Sequence, residues 1–491
     1  MKKYIFYVAA FTTVLVTSCR KIEMDGEPII IEVPGGNGGG NGNIGKRVEL
    51  KGRITKDTTL YKADNNIITG LVYIANGVTV TVEKGATVKA TYSGSDVAAL
   101  IVSRGGKLIA DGTQEEPIVF TSASPNPQSG DWGGIVLCGK ASINSTFDGK
   151  FGLFQVEGGV DNAEGEGRAG SGDALVPAPV DNDNSGTLRY VRIEYAGYAY
   201  QPDKEVNSLT MAAVGSGTVI DHVQVTYAKD DAFEWFGGTV NCKYLIAYKT
   251  QDDDFDSDNG FSGSVQFGLI VRDSLIADIS KSEAFESDNN PTGGAVNPQT
   301  RAVFCNISAF GPSATLNSVP GSNYLGAAVQ IRRNSSISIF NSAFVGWPVG
   351  IQINGSQGNT DKNITAGTLQ LSGILIAGAK KPIEYVKGSE PAFADEAALT
   401  AWFTGNSKNK VLTTVDDIRY TRPFDYSNPD WQPFGNSAVV IPDTQANPNT
   451  HFDDPILQAR SFITKVNFIG GIAPSGADAN WHKGWTKFAN Q

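Results

Sequence analysis

Histidine and methionine each occur only three times in the 491 residues, and cysteine four times. Three scattered histidines argue against a His-ligated metal centre, and with no Gly-x-Ser-x-Gly elbow they argue against Ser/His/Asp catalysis. Four cysteines at this length exclude a small disulfide scaffold. Positive charge is also short: 40 Lys+Arg face 51 Asp+Glu, a net charge of −11. Nucleic-acid binding is therefore not expected, because it needs Lys and Arg to displace counterions from phosphate. What the chain has in quantity is glycine, 56 residues, among short Val/Ile/Thr-rich runs. That composition predicts many short strands and turns, and the length allows several ordinary domains or one long repeat array.

The one apolar run near the start, residues 4–16, is too short to span a bilayer and follows Lys2 and Lys3. It ends in Val16-Thr17-Ser18-Cys19, which resembles a bacterial lipobox. Residues 1–18 are thus expected to be a lipoprotein signal peptide and Cys19 the acylated first residue, anchored in outer-membrane lipid. Loss of Lys2 and Lys3 takes the net charge to −13. Residues 19–47 include a Gly/Asn run at 35–43 with no side chains to build a core, and are expected to be a flexible tether. No Lys-Ser/Thr follows that run, so it is not a phosphate loop. Arg20 is not the aspartate that favours inner-membrane retention; Glu23 and Asp25 point to exposure at the cell surface.

From 48 to 389, short period-two strands alternate with Gly, Asn and Asp turns. The layout of 71–90 returns at 99–122, about thirty residues later. Coil-length self-similarity with several short strands per unit predicts a parallel β-helix, in which a coil buries its apolar face only against its neighbours. An antiparallel sandwich would show two-residue hairpins instead.

The strongest repeat is central. Asp230-Asp231-Ala232-Phe233-Glu234 matches Asp252-Asp253-Asp254-Phe255-Asp256, and Ser282-Glu283-Ala284-Phe285-Glu286 continues the series. Phe233, Phe255 and Phe285 lie 22 and 30 residues apart, so they should form an internal aromatic ladder with a loop inserted in the longer interval. The same register sets Glu234, Asp256 and Glu286 in one outward row and Asp231, Asp253 and Glu283 in a second. Residues 230–290 hold 13 acidic and 4 basic side chains, which concentrates most of the net charge in one patch. Like charges about 4.8 Å apart repel by about 3–4 kcal/mol at an effective dielectric of 20. A Ca²⁺ held by Asp231, Asp253 and Asp256, or a cationic ligand, would relieve this; the competing reading is a solvated acidic edge that discourages sheet pairing.

Cys138, Cys242 and Cys305 lack metal-ligand spacing, and buried thiols are expected in preference to a Cys242–Cys305 disulfide. From 390 to 491 the pattern changes to one short helix over 394–403 and then irregular chain carrying Trp402, Trp431, Trp481 and Trp485. This region is expected to cap the open end of the solenoid, with a sugar-stacking platform as the alternative use of the tryptophans.

The lipobox, the tether, the Asp-Asp-x-Phe coils and the ending Val466-Asn467-Phe468-Ile469-Gly470-Gly471 with Asn480-Trp481-His482-Lys483-Gly484-Trp485 resemble a family of right-handed parallel β-helix lipoproteins of Bacteroidota. The ending departs from that family's usual Gly-Ala-Phe at Gly471-Ile472-Ala473. The resemblance implies handedness, an outer-membrane location, and an accessory role beside a TonB-dependent transporter and a SusD-like lipoprotein in nutrient uptake. It carries no catalytic residues.

β-Helices also host polygalacturonases and pectate lyases, so chemistry has to be sought in the residues. Asp230-Asp231 or Asp252-Asp253 offers a carboxylate pair, but Gly-His-Gly and Arg-x-Lys are absent and His222 reads as a turn residue. Arg272, Arg332 and Arg333 have no spacing that ties them to the acidic rows, and each is expected to pair with a surface carboxylate. The expectation is a non-catalytic surface module that binds a glycan or peptide. A calcium-dependent glycan lyase or hydrolase is the runner-up, and a structural adhesin the third reading.

Overall fold

Strands such as Thr79–Val82 bury every second residue, Val80 and Val82, and leave the threonines half-buried. At four residues they are too short to be stable alone and persist only by lateral pairing. The computed structural model describes residues 29–33, 45–94, 97–201, 204–314, 325–441 and 450–488. Cys19, the signal peptide and the glycine-rich run lie outside them. The described chain winds as a parallel β-helix.

One column of parallel strands includes Ile135–Cys138, Leu209–Ala212, Phe233–Phe236, Phe255–Asp258, Phe285–Ser287, Ala327–Ile331, Val349–Asn354 and Lys381–Val386, each paired to the next. The other two columns share longer strands: Gly186–Glu194, Val219–Thr226, Asn241–Tyr248, Ser264–Val271 and Val303–Phe310 pair over both halves. Each bends at one residue of positive φ, namely Tyr190, His222, Tyr244, Phe267 and Asn306 (φ 49–64°). Four of these corner side chains stack in sequence, at 4.3 Å (Tyr190–His222), 4.3 Å (His222–Tyr244) and 4.9 Å (Tyr244–Phe267). Left-handed backbone at such residues is costly, and the stack offsets it. His222 is a corner residue, as its setting before Val223 suggests.

The core lies inside the coils. Phe233 pairs with Phe255 and Phe255 with Phe285 in register, with ring centroids 5.5 and 5.4 Å apart. The rings meet edge to face, at 79° and 85°, and not face to face. The long interval is filled by a loop over 273–282, and the three cysteines are free and buried.

Two boundaries differ from the sequence reading. Ile29–Val33, inside the segment expected to be tether, pairs antiparallel with Arg47–Ile54 and covers the first rung. The solenoid also runs past 389: after helix α1 (Thr360–Thr365) in one turn and helix α2 (Glu396–Gly405), Lys410–Leu412 adds a rung on Leu375–Ala377. Helix α2 stands where a strand stacked on Leu371–Ser372 would be, with Asn409 just beyond it donating to Leu371 O (3.0 Å), which is why the period-two pattern stops early. Its N-cap Asp395 accepts from Ala398 N at 2.9 Å, and Leu399 and Phe403 seal the core.

The rest of the C-terminal region does not cap the end. It turns back along the side of the rod: His451 meets Asn341, Phe468 O accepts from Asn306 (2.9 Å), Gly471 N donates to Ser308 (2.9 Å), Lys487 N to Gln224 (2.9 Å), and Lys483 O accepts from Gln114 (2.8 Å). This strap lies over the stacked corner, and its own Trp431, Trp481 and Trp485 are buried against it, so these three offer no sugar platform, while Trp402 is half-buried on helix α2 against the core. Among the described residues no helix is long and apolar enough to cross a membrane.

Candidate functional site

Because Phe233 and Trp235 point into the core, Glu234 between them points out, and parallel pairing stacks Thr210, Glu234, Asp256, Glu286 and Gln330 in one row. Earlier in the same row, Tyr73, Ile101 and Val136 are apolar. An insert, residues 139–185, folds back over them and buries them against Ile143, Val156 and Val160, while Tyr73 Oη donates to Val160 O at 2.8 Å. The face therefore changes from a covered apolar surface to an acidic recess at Thr210.

The turn before each rung supplies a second set of carboxylates. Asp231 Oδ1 accepts from Asp253 N (2.8 Å), and Asp253 Oδ1 accepts from Glu283 N (2.5 Å), so each carboxylate grips the backbone of the next coil. Gln330 Nε2 donates to Glu283 Oε1 (2.6 Å), and Asn207 donates to Glu234. Three groups offer carboxylate oxygens within 4.8 Å of one another: Asp230, Asp231 and Asp252; Asp231, Glu234 and Asp256; and Asp253, Glu283 and Glu286. The expected set Asp231, Asp253 and Asp256 is thereby divided. Asp253 spends one oxygen on the next coil and faces Glu283 and Glu286, while Asp231 and Asp256 converge on Glu234.

The cluster is not a solvated edge. Asp231, Glu234, Asp253 and Glu283 are buried, and Asp230, Asp252, Asp256 and Glu286 are half-buried, with Glu157 of the insert, Glu205, and Asp278 of the 273–282 loop close enough to act on Asp230. That loop is held by Ser280 Oγ on Asp252 (3.1 Å). Burial drives all these carboxyls above the ordinary carboxylate range. Glu157 of the insert and then Asp256 push Glu234 further, and Glu286 and then Asp258 push Asp256 further. Asp252 reaches about 7 and Glu286 about 8.

The arginines are already engaged. Arg332 binds Glu286 and Asp288 (Nε–Oδ1 3.0 Å), and Arg333 Nη1 lies 2.8 Å from Asp288. Arg272 is not at the surface: it is fully buried with Asp254 (3.4 Å) and donates to the carbonyls of Thr250 (2.7 Å), Asp252 (2.5 Å) and Glu283 (3.2 Å), stapling successive turns. Among the described residues, no Lys or Arg is paired with Asp231, Glu234 or Asp256, and Asp256 Oδ1 has no hydrogen-bond partner.

A family model for a pectate-lyase-like β-helix domain matches residues 52–414. The chain belongs to that family. Neither the curated proteins nor the solved structures contain a match to it. Within the pectate-lyase-like β-helix, sequence reading found both acidic rows but missed Thr210, Asn207 and Gln330. These lack the Asp-Asp-x-Phe signature, although carrying the register one coil outward, to Leu209 and Val329, reaches them. It also missed the burial of Arg272, for which a single arginine in a turn gives no signal.

Proposed function

We propose that this β-helix is a non-catalytic, surface-exposed lipoprotein, anchored in the outer membrane through Cys19, whose acidic recess binds a cation or the cationic part of a glycan or peptide ligand. One observation carries the reading: Asp231, Glu234 and Asp256 converge, largely out of water, and among the described residues none of them is ion-paired with a Lys or Arg, Arg332 acting on Asp256 only from beyond its pairs with Glu286 and Asp288. Oxygen-only donors at this separation suit Ca²⁺, which bonds carboxylate oxygens at about 2.4 Å. The lipobox and the family resemblance support a place beside a TonB-dependent transporter and a SusD-like lipoprotein.

Calorimetric titration of the full chain with CaCl₂ tests the site. Binding is expected, and it should be lost in Asp256→Asn with the fold intact; no binding, and no calcium-dependent rise in melting temperature, would remove the inorganic occupant. Purification from detergent-solubilised outer membrane tests the setting, and recovery without a transporter would count against the uptake role. One observation favours catalysis as a second reading. Burial raises Asp252 to about 7 and Glu286 to about 8, the range suited to a general acid at neutral pH, although Arg332 pulls Glu286 back down. Product release from a glycan panel, abolished by Asp252→Asn or Glu286→Gln, would establish it.

A further inference from the structure

The acidic row is covered at one end. The insert covers the outward row through Val136, and the next residue of that row, Thr210, is fully buried with its Oγ1 unpartnered. Glu157 of the insert stands close enough to Glu234 to act on it electrostatically, so the wall itself is acidic. A linear ligand lying along the row would stop at this wall, and the end it presents there meets carboxylates.

The groups at the covered end suit a primary ammonium. Three acceptors around a tetrahedral nitrogen at about 2.8 Å are about 4.6 Å apart, and the oxygens of Asp231, Glu234 and Asp256 lie within 4.8 Å of one another. The idle Thr210 hydroxyl is a further acceptor beside Glu234. On the rim, the loop that Ser280 ties to Asp252 exposes the apolar side chains Leu275 (77 %) and Ile279 (75 %). Aliphatic rim contacts suit peptide side chains, whereas Trp431, Trp481 and Trp485, which could have stacked on sugars, are buried within the strap.

We infer that the recess receives the free amino terminus of a peptide, its ammonium held by Asp231, Glu234 and Asp256 at the covered end and its following side chains resting on Leu275 and Ile279. This rests on the reading of the recess as a non-catalytic cation site, and it makes peptide and calcium competitors.

The test is calorimetry on the full chain in EDTA with the peptide Ala-Leu-Ile-Gly-Gly amide, its N-acetylated form and a chitosan trisaccharide. The free peptide should bind, acetylation should weaken it at least about tenfold, and calcium added in excess over the chelator should compete. Thr210→Val should weaken it about tenfold without lowering the melting temperature, since the hydroxyl has no internal partner to lose, and Leu275→Ser with Ile279→Ser should weaken it while leaving calcium binding unchanged. Equal binding of the acetylated peptide, stronger binding of the trisaccharide, or calcium binding with no peptide binding would overturn the inference and leave the cation site standing. Glycan turnover would overturn both.

Discussion

At the scale of single residues, the molecule carries an electrostatic debt in one place. Asp231, Glu234 and Asp256 repel one another, and burial denies them the solvent that would screen it. Asp256→Asn should therefore stabilise the cation-free protein by about 1 kcal/mol, read as a higher melting temperature in EDTA, and should cancel any further rise on adding calcium. Arg272 predicts the opposite sign. Its removal in Arg272→Met leaves Asp254 uncompensated and three carbonyls without a donor, so a loss of about 3–5 kcal/mol is expected in urea unfolding. The acidic row was legible because Asp-Asp-x-Phe recurs at coil length and parallel pairing preserves register. The burial was not, because the insert and loops brought close to the row come from elsewhere in the chain, and no local pattern encodes their folding back.

At the scale of elements, the short strands are specified by alternation and held by the ring series. Phe255 touches Phe233, Phe285, Trp235 and Phe304, so Phe255→Ala should cost about 3–5 kcal/mol, seen as a lower urea midpoint with an unchanged slope. The same phenylalanines made the solenoid readable: three rings 22 and 30 residues apart allow few other arrangements. Apart from the turn at His222, the corners were not readable. Nothing in the sequence marks Tyr190, His222, Tyr244 and Phe267 as left-handed, since only glycine and asparagine advertise that conformation, and here aromatic stacking supplies what backbone preference withholds. Helix α2 was expected from its apolar spacing and lies within two residues of the expected span, yet the rung that follows it was hidden by the composition change.

At the scale of the whole molecule, the strap decides how the rod responds to acid. His451 and His482 sit within it, each pushed down to about 4, chiefly by burial, with Lys408 and Lys410 acting on the first and Lys483 on the second. Their unfolded values are about 6.5. Because the docked values are lower, the docked strap favours neutral rings: its stability is complete above about pH 6.5 and falls as the pH drops through 4. Fluorescence of Trp481 and Trp485, buried in the docked strap, should report loosening in that window, with the central coils persisting by far-UV dichroism. His482→Gln should narrow the response; an unaltered curve would assign it elsewhere.

A stack whose coils touch only their immediate neighbours tends to melt piecemeal, rung by rung, like a one-dimensional chain of weakly linked spins. The returning C-terminal segment breaks that locality. By bonding Asn341, Asn306, Gln224 and Gln114 in turn, it gives distant rungs a common fate. Thermal denaturation of the intact chain should thus be a single sharp event, and a version ending at residue 449 should show it broadened into several, a change in cooperativity more than in midpoint.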